Sequence, residues 1–330
     1  MGKLESYMKD IINNPKVYSV HINLLNECTC RCKTCRKYNW PDKQLEINKL
    51  KQFIEYFKYQ GGETIVFSGG EPLLYKDLKE LIEYTNSLDL KYSFITSLID
   101  VDIENIKLVA DNAERIHVSC DATNAELFER IRGTKQYNQL IENIKLVQSM
   151  RRGKIPVRIS STISKLNYKE ISNLYVLAKD LGCLINFYLV HTWNVLKMNK
   201  EELTFILKLM IHMNHKIATN IIDLELEISR LIDGIKEDKP KECVVQKIHM
   251  MLDSNGSVYP CCVLVRDNGD YDYRETHAYG DIYSGKIESI FKRRFKLKYK
   301  PEYGCCNECI RYKEVNKEYS EYNKETKLFL

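Results

Sequence analysis

The feature that most constrains the fold is a regular alternation of short apolar runs and longer amphipathic segments between Val17 and Val190. Such a rhythm is typical of βα units, in which helices cover a parallel sheet. The predicted strands are short and mostly apolar, as buried parallel strands are, and span residues 18–25, 64–68, 92–96, 115–119, 157–163 and 185–190. The predicted helices between them span residues 47–59, 78–87, 103–112, 137–150 and 168–181.

Six βα units fall short of the eight that close a complete barrel. We therefore predict an α/β fold, a partial (β/α)6 TIM-like barrel. Its functional side is expected at the edge where the strands end, because side chains that follow parallel strands meet there. Two polar clusters, beginning at Cys28 and at Ser68, follow the first and second predicted strands. Position and residue type both favour this edge as the site.

The rhythm stops beyond the sixth unit. Residues 203–219 and 223–235 are predicted to be helices, and a turn-rich region with six cysteines follows them. Asn255-Gly256 is a strong turn signal and predicts a hairpin between residues 250–253 and 258–261. We divide the chain into a barrel over 1–195, a helical linker over 196–240, a small cysteine-rich domain over 241–312 and a charged tail over 313–330.

The length and the composition of the chain exclude several classes of protein. With 330 residues the chain can bury a large core, so a disordered or fibrous protein is not expected. Lys and Arg number 50 against 45 Asp and Glu, a balance too even for a protein that coats nucleic acid, while the net charge of +5 is compatible with an acidic substrate. No apolar run is long enough for a membrane span, and no signal peptide opens the chain, so we expect a cytoplasmic protein.

Seven of the 12 cysteines fall in two tight groups, which are Cys28, Cys30, Cys32 and Cys35, then Cys305, Cys306 and Cys309. In a reducing compartment such groups indicate metal ligands rather than disulfides. The spacing of the first group contains C-x3-C-x2-C. Three thiolates can hold three irons of a 4Fe–4S cluster and leave the fourth iron open to an external ligand, for which S-adenosylmethionine is the natural candidate in radical chemistry. A structural zinc site is the alternative.

This loop resembles the defining motif of the radical SAM superfamily, which follows the first strand of a partial barrel. The resemblance implies that Cys28, Cys32 and Cys35 hold the cluster and that the open iron binds the methionine part of S-adenosylmethionine. Reductive cleavage of that cofactor would give a 5′-deoxyadenosyl radical that abstracts hydrogen from a substrate. Cys30 lies outside the family spacing, and Thr34 stands where the family usually has an aromatic residue that contacts adenine.

Further motifs match the same family. Gly69-Gly70-Glu71-Pro72 resembles the family's G-G-E-P motif, which contacts the amino end of S-adenosylmethionine. Ser119-Cys120-Asp121 resembles its S-x-D segment, and the guanidinium of Arg132 is placed to pair with the methionine carboxylate. An ordinary glycine turn and a solvated arginine are the alternatives. With two further candidates at polar strand positions, the predicted cofactor-binding residues are Gly69, Gly70, Glu71, Thr96, Ser119, Arg132 and Ser160.

The C-terminal cysteines resemble those of the SPASM or shorter twitch extensions of radical SAM enzymes, which bind auxiliary iron–sulfur clusters. Asp253-x2-Gly256 and the turn Gly280-Asp281-Ile282 match the usual pattern of that extension. No cysteine follows Cys309, so we expect one auxiliary 4Fe–4S cluster. A zinc ribbon is the alternative. The expected ligands are Cys243, Cys261, Cys306 and Cys309, with Cys305 as a substitute for Cys306.

The resemblance implies a radical enzyme that acts on a peptide or small protein by epimerisation, cross-linking or oxidation. Cys262, beside the expected auxiliary ligands, is a candidate hydrogen-atom donor to the substrate radical. Only about sixteen residues precede the first strand, too few for the peptide-recognition domain of many peptide maturases. A carbohydrate or aminoglycoside epimerase or dehydrogenase is therefore the main alternative, and a non-catalytic zinc-binding interaction protein is the alternative of another class. We expect a reducing partner such as flavodoxin or ferredoxin, and neither a membrane nor nucleic acid.

Overall fold

The fold is built on one sheet with helices packed along it. The structure, a computed structural model, describes residues 16–35, 41–190, 196–234, 248–260 and 278–296. The described strands are β1 Ser19–Asn23, β2 Thr64–Ser68, β3 Lys91–Thr96, β4 Arg115–Ser119, β5 Arg158–Ile163, β6 Leu184–Leu189, β7 His249–Leu252, β8 Ser257–Tyr259 and β9 Gly280–Asp281. The described helices are α1 Ile47–Tyr59, α2 Leu78–Ser87, α3 Ile103–Asn112, α4 Ala125–Arg132, α5 Tyr137–Met150, α6 Ile171–Asp180, α7 Lys200–Met210, α8 Ile221–Asp233 and α9 Ile287–Lys296.

The sheet is mainly parallel and is not closed. Its order is β6-β5-β4-β3-β2-β1-β7-β8-β9, so β6 and β9 are its edges within the described residues. Strands β1 to β7 run parallel, whereas β8 and β9 are antiparallel additions. This arrangement confirms the predicted partial barrel. Its first six strands are consecutive in space and sequence, which is the simplest way to stack right-handed βα crossovers.

The two faces of the sheet differ in polarity. Ile22, Phe67, Phe94 and Val118 are fully buried on the face that packs against the helices. The rings of Phe67 and Phe94 lie 5.2 Å apart between centroids. Alternate residues on the same strands point to the other face and are mostly polar, because side chains alternate along a strand. A polar inner face inside an apolar shell is suited to binding a ligand rather than to filling a core.

The short helix α4 was not among the predicted helices. Its ends carry clear capping residues: the Asn124 side chain accepts a hydrogen bond from the Leu127 backbone, and Gly133 ends the helix in the left-handed conformation with φ of 68°. Both are standard helix-capping choices. The remaining helices of the barrel agree with the predictions, except that the predicted helix 168–181 begins as a 3-10 turn over Tyr168–Glu170.

The predicted helix over residues 203–219 was wrong in its extent. Helix α7 starts earlier, after the capping box of Asn199 and Glu202, and ends at Met210. The chain then turns, and the Ile217 carbonyl and Thr219 amide hydrogen-bond with Ile185 of β6, at 2.8 and 3.0 Å. The backbone there is used to extend the edge of the sheet, so it cannot continue the helix. The second predicted helix, 223–235, agrees with α8 within two residues.

The predicted hairpin around Asn255-Gly256 is confirmed, since β7 and β8 pair antiparallel with Leu252 opposite Val258. Its attachment was not predicted: β7 also pairs parallel with β1, with Ser19 opposite His249. The hairpin is therefore part of the barrel sheet. The domain boundaries drawn from the sequence stay predictions. In the described residues we find no helix that is long and apolar enough to cross a membrane.

Candidate active site at the carboxyl end of the sheet

The cysteine loop, residues 28–35, follows β1 and is fastened to two neighbouring segments. The backbone amides of Arg31 and Lys33 donate to the carbonyls of Arg132 and Ile131 at the end of α4, over 2.9 and 2.8 Å. The Thr29 hydroxyl donates to the Ile99 carbonyl at 3.0 Å, in the loop after β3. These contacts fix a loop without regular secondary structure at the carboxyl end of the sheet, where the sequence predicted the site.

The cysteine side chains of this loop lie close together. Cys30 and Cys32 are buried, and Cys28 and Cys35 are half-buried. Hydrogen bonds with the thiols of Cys28 and Cys32 lower the pKa of Cys30, whereas the same contacts raise the pKa of Cys28 and of Cys32. The structure therefore brings Cys30 into the same group as two of the three predicted ligands.

The donor set suits an iron–sulfur cluster. Thiolates are the soft ligands that such clusters use, and a nearby cation favours the thiolate form. Arg132 supplies that cation: burial opposes its charge, but Cys32 and Asp121 raise the pKa of Arg132 well above its ordinary value. Over the described ranges, no three His, Cys, Asp or Glu side chains converge tightly enough to hold a single metal ion. Ligands of a polynuclear cluster bind different irons and need not converge in that way.

The glycine pair after β2 packs against the chain that leads into the cysteine loop. A Cβ on Gly70 would lie 1.9 Å from the Glu27 carbonyl oxygen, and one on Gly69 would lie 2.5 Å from the Leu25 carbonyl oxygen. The Gly70 amide donates to the Leu25 carbonyl at 2.7 Å, and the Glu71 amide donates to that of Glu27 at 2.8 Å. Backbone contact this close leaves no space for a side chain. The two predicted motifs are thus held directly against each other.

Glu71 is fully buried and its carboxylate is saturated with hydrogen bonds. One oxygen accepts from the Thr96 hydroxyl at 2.6 Å and from the Leu73 amide at 3.2 Å. The other accepts from the amide and the hydroxyl of Ser97, at 2.7 and 2.6 Å. A carboxylate has about four acceptor sites, so all of them are used. Burial raises the pKa of Glu71, while the hydrogen bonds from Ser97 and Thr96 oppose that rise.

Thr96, a predicted cofactor residue, takes part in the same network. Its hydroxyl donates to Glu71 and accepts from the Leu98 amide at 2.9 Å. Leu98 has a φ of 55°, in the left-handed region that side chains other than glycine seldom adopt. The network therefore holds the loop after β3 in an unusual conformation beside Gly69-Gly70. Ser97, the next residue along the chain, supplies two of the four donors to Glu71.

Arg132 is buried and forms an ion pair with Asp121, with Nη1 and Oδ2 separated by 3.0 Å. The other carboxylate oxygen of Asp121 accepts from the Thr162 amide at 2.7 Å. Among the described residues, the Nε of Arg132 is buried without a hydrogen-bond partner. An unpaired buried donor next to the cysteine loop is a place where a bound carboxylate would be stabilised.

Ser119 and Ser160 face each other across β4 and β5. Both are half-buried on the polar face, and Asn186 lies opposite Ser160 on β6. Parallel pairing with this register puts the three side chains on one face in a row. The structure thus brings both predicted serines to the inner surface below the cysteine loop.

A second polar network joins the β7–β8 hairpin to the barrel and was not predicted. The Asn23 amide group donates to Asp253 Oδ1 at 2.8 Å, and the Ser68 hydroxyl donates to Asn23 at 3.3 Å. The Ser254 hydroxyl donates to Asn26 Oδ1 at 2.7 Å, two residues before Cys28. The Asn23–Asp253 and Asn26–Ser254 pairs are each separated by about 230 residues in sequence, so no local sequence pattern reveals the network. The hairpin of the cysteine-rich region is therefore tied to the entry of the cysteine loop.

The remaining predicted site residues lie outside the described residues, and their roles stay predictions. They are Cys243, Cys261, Cys262, Cys305, Cys306 and Cys309. The predicted turn at Gly280-Asp281-Ile282 is described: Asp281 Oδ1 accepts from the amides of Tyr283 and Ser284 at 2.7 and 3.2 Å. The Tyr283 hydroxyl in turn accepts from the Glu46 amide at 3.0 Å, just before α1.

Two protein families match the chain. The radical SAM superfamily matches residues 22–175, and SPASM, an iron–sulfur cluster-binding domain, matches residues 243–310. Together the two matches cover well over half of the sequence. The first contains the cysteine loop and most of the barrel, and the second contains the hairpin and the C-terminal cysteines.

Individual relatives agree with this assignment. An AdoMet-dependent heme synthase of Methanosarcina barkeri is 31% identical over 173 residues, which are 50% of this chain and 48% of that protein. A probable GTP 3′,8-cyclase of Methanocaldococcus jannaschii is 25% identical over 183 residues, 54% of this chain and 60% of that protein. The chain thus spans about half the length of the curated relatives it matches.

Among solved structures, Streptococcus suis SuiB bound to the precursor peptide SuiA superposes with a TM-score of 0.65 at 15% identity. The superposition covers 88% of this chain and 68% of that one, and at this identity it shows the fold alone. The family matches, the cysteine loop and the open parallel sheet agree with one another. The chain belongs to the radical SAM superfamily and carries a SPASM domain, which is an iron–sulfur cluster-binding domain.

Proposed function

We propose that this enzyme modifies a peptide or small protein by abstracting a hydrogen atom from it. The observation that carries the proposal is the three-cysteine loop fixed at the carboxyl end of an open, polar-faced barrel. When bound, the cluster and S-adenosylmethionine supply a 5′-deoxyadenosyl radical for that abstraction. The fold shared with peptide-bound SuiB supports a peptide as the substrate class.

The proposed roles of the loop residues follow from their surroundings. Cys28, Cys32 and Cys35 would hold three irons, and Arg132 beside them would offset the negative charge of the thiolates. The free Nε of Arg132 would also be satisfied by the methionine carboxylate of the cofactor. Glu71 acts as a positioning residue in this proposal, because its four acceptor sites are already used inside the protein.

The polar inner face suits an extended peptide. Peptide N–H and C=O groups need hydrogen-bond partners when they leave water. Ser119 and Ser160 lie directly opposite each other on neighbouring strands and would offer such partners.

We also propose one auxiliary cluster, held by cysteines near the β7–β8 hairpin. Cys261 follows two residues after the end of β8. A reducing compartment such as the cytoplasm would keep both sets of thiols available.

The substrate class is tested by following deuterium into 5′-deoxyadenosine. Full-length enzyme with reconstituted clusters is incubated with dithionite, S-adenosylmethionine and a pool of short peptides from cells grown in D2O. We expect deuterium in the 5′-deoxyadenosine, absent with the Cys32→Ala variant. Transfer from deuterated aminoglycosides or sugars, with none from the peptide pool, would replace the peptide proposal by its carbohydrate alternative.

A further inference from the structure

Three basic side chains lie on the inner face of the sheet, at the end where its strands begin. Lys91, Arg115 and Arg158 are the first residues of β3, β4 and β5. The register places Arg115 opposite Ser93 and Arg158 opposite His117. Residues two apart on a strand share a face, so Lys91 lies with Ser93 and Arg115 lies with His117. All three cations therefore stand on the polar inner face of adjacent strands.

The inner face offers no acid to balance these charges. On strands β1 to β6, every second residue lies on the inner face, and none of these residues is Asp or Glu. The first residue of each such series is Ser19, Thr64, Lys91, Arg115, Arg158 or Leu184. Within the described parts of the chain, no ion pair or hydrogen bond links Lys91, Arg115 or Arg158 to another side chain. Like charges on neighbouring strands repel, and water offsets this repulsion better at the exposed Lys91 and Arg115 than at the half-buried Arg158.

Arg158 is the most constrained of the three. It is half-buried, and its Nε is fully buried without a hydrogen-bond partner among the described residues. Burial lowers the pKa of Arg158, the electrostatic interaction with Tyr188 raises it, and that with Arg115 lowers it. A buried N–H donor without a partner is costly, since it loses its hydration.

The contrast with Arg151, a buried arginine that follows α5, is informative. Its guanidinium donates to the carbonyls of Ala110, Ala113 and Glu114 at 3.0, 2.8 and 2.7 Å. Those carbonyls belong to the end of α3 and the turn after it, so Arg151 serves the fold. Arg158 has no such partners and faces the inner space, which indicates that it serves a ligand.

We infer that Arg158, with Arg115 and Lys91, binds an anionic group of the substrate, a carboxylate or a phosphate, at the amino end of the inner face. The guanidinium fork matches the two oxygens of either group. This inference rests on the proposed function, which puts the reacting carbon at the opposite end, below the cysteine loop.

The geometry sets where the anionic group lies in the substrate. From Arg158 to Thr162 strand β5 covers four residue steps, a length of roughly 13 Å at ~3.3 Å per residue. An extended peptide covers the same distance in about four residues. In a peptide substrate, an acidic side chain or the terminal carboxylate would therefore lie three or four positions, on the order of 13 Å, from the modified residue.

Calorimetric titration of the full-length, reconstituted enzyme tests the inference without turnover. The probes are acetyl-Glu-Glu-Glu-amide, its neutral counterpart acetyl-Gln-Gln-Gln-amide, and pyrophosphate. We expect an anionic probe to bind more tightly than the neutral peptide, and Arg158→Gln to weaken that binding about tenfold or more. The control Arg130→Gln, an exposed position on α4, should leave it unchanged. Preference for the acidic peptide assigns a carboxylate, and preference for pyrophosphate assigns a phosphate.

Equal binding of the neutral and anionic probes, or equal effects of Arg158→Gln and Arg130→Gln, would overturn the inference. Arg158→Lys keeps the charge but removes the fork, so it should bind with intermediate affinity if the protein is folded by circular dichroism. Formation of 5′-deoxyadenosine by the same samples separates the two claims. If the enzyme cleaves the cofactor but does not discriminate between the probes, the anion site alone is contradicted. If it discriminates between the probes but does not cleave the cofactor, the proposed function alone is contradicted.

Discussion

At the scale of single residues, Glu71 shows how one buried carboxylate organises the site. It gathers donors from the segment after β2 and from the end of β3, and thereby holds the two loops against each other. Its neighbours Gly69 and Gly70 press on the entry to the cysteine loop. The carboxylate thus holds in place the loops that border the proposed cofactor site.

Replacing Glu71 with Gln should destabilise the protein. The new amide nitrogen cannot accept a hydrogen bond. It would take the place of one carboxylate oxygen and leave without an acceptor either the Ser97 donors or those of Thr96 and Leu73. We expect a loss of about 1–3 kcal/mol in the free energy of unfolding, measured by urea titration of the full chain. Glu142→Gln on α5 is the exposed control. Identical unfolding midpoints for the two variants would show that the network contributes nothing.

The four cysteines of the loop should differ in iron binding. Cys28→Ala, Cys32→Ala and Cys35→Ala are each expected to lose most of the iron and sulfide bound at this loop after reconstitution. Cys30→Ala should retain it, because the family spacing excludes Cys30 although its thiol contacts those of Cys28 and Cys32. Metal and sulfide analysis of the four variants decides this. If Cys30→Ala loses the iron and Cys32→Ala keeps it, Cys30 rather than Cys32 is the cluster ligand.

At the scale of elements, the site depends on backbone contact between loops from different strands. The cysteine loop is held by α4 on one side and by the glycine pair on the other. Gly133 adds to the first contact, since a Cβ there would lie 2.7 Å from the Arg31 carbonyl oxygen. Helix α4 and the glycine pair make these contacts through main-chain atoms, which tolerate little displacement.

Gly70→Ala should therefore disturb the cysteine loop. Its Cβ would overlap the carbonyl oxygens of Glu27 and Asn26, and overpacking of this kind costs about 1–3 kcal/mol or more. Gly153→Ala is the matched control, because nothing lies within 4 Å of its Cβ and only its positive φ is strained, at about 1 kcal/mol. We expect Gly70→Ala to lose more stability and also to bind less iron. Equal losses in both variants would contradict the close packing.

Much of the cofactor site was predictable because its motifs are local. Cys28, Cys32 and Cys35 fall within eight residues, and Gly69-Gly70 follows a recognisable strand. Asn167 was missed because only the folded chain brings its side chain to the Asp121 carbonyl. Helix α4 was missed although Asn124 and Gly133 mark its ends. The pairing of β7 with β1 has no local pattern, since tertiary packing decides it.

At the scale of the whole molecule, the two family regions share one sheet. Strand β7 of the SPASM region lies beside β1, and the hydrogen bonds of Asp253 and Ser254 reach the residues that lead into the cysteine loop. Helix α9 packs on α1 through Phe291 and Phe53, whose ring centroids lie 5.6 Å apart. The described part of the SPASM region is thus anchored on the barrel by polar and apolar contacts.

The Asn23–Asp253 hydrogen bond should couple the two regions energetically. Both side chains are buried, at 1% exposure each, so neither is compensated by water when its partner is removed. In a double-mutant cycle with Asn23→Ala and Asp253→Ala, we expect a coupling free energy of about 1 kcal/mol or more in unfolding experiments. A parallel cycle with Asn23→Ala and the exposed Lys286→Ala should give none. Additive losses in the first cycle would mean that this contact does not join the regions.

The most direct test of the account is cofactor cleavage by the intact protein. Full-length enzyme is reconstituted with iron and sulfide without oxygen, reduced with dithionite and given S-adenosylmethionine, and 5′-deoxyadenosine is measured. The account predicts formation of this product, its loss in Cys28→Ala, Cys32→Ala and Cys35→Ala, and its retention in Cys30→Ala. No product from protein with intact clusters, even in the presence of peptide substrates, or a protein that holds zinc and no iron, would contradict it.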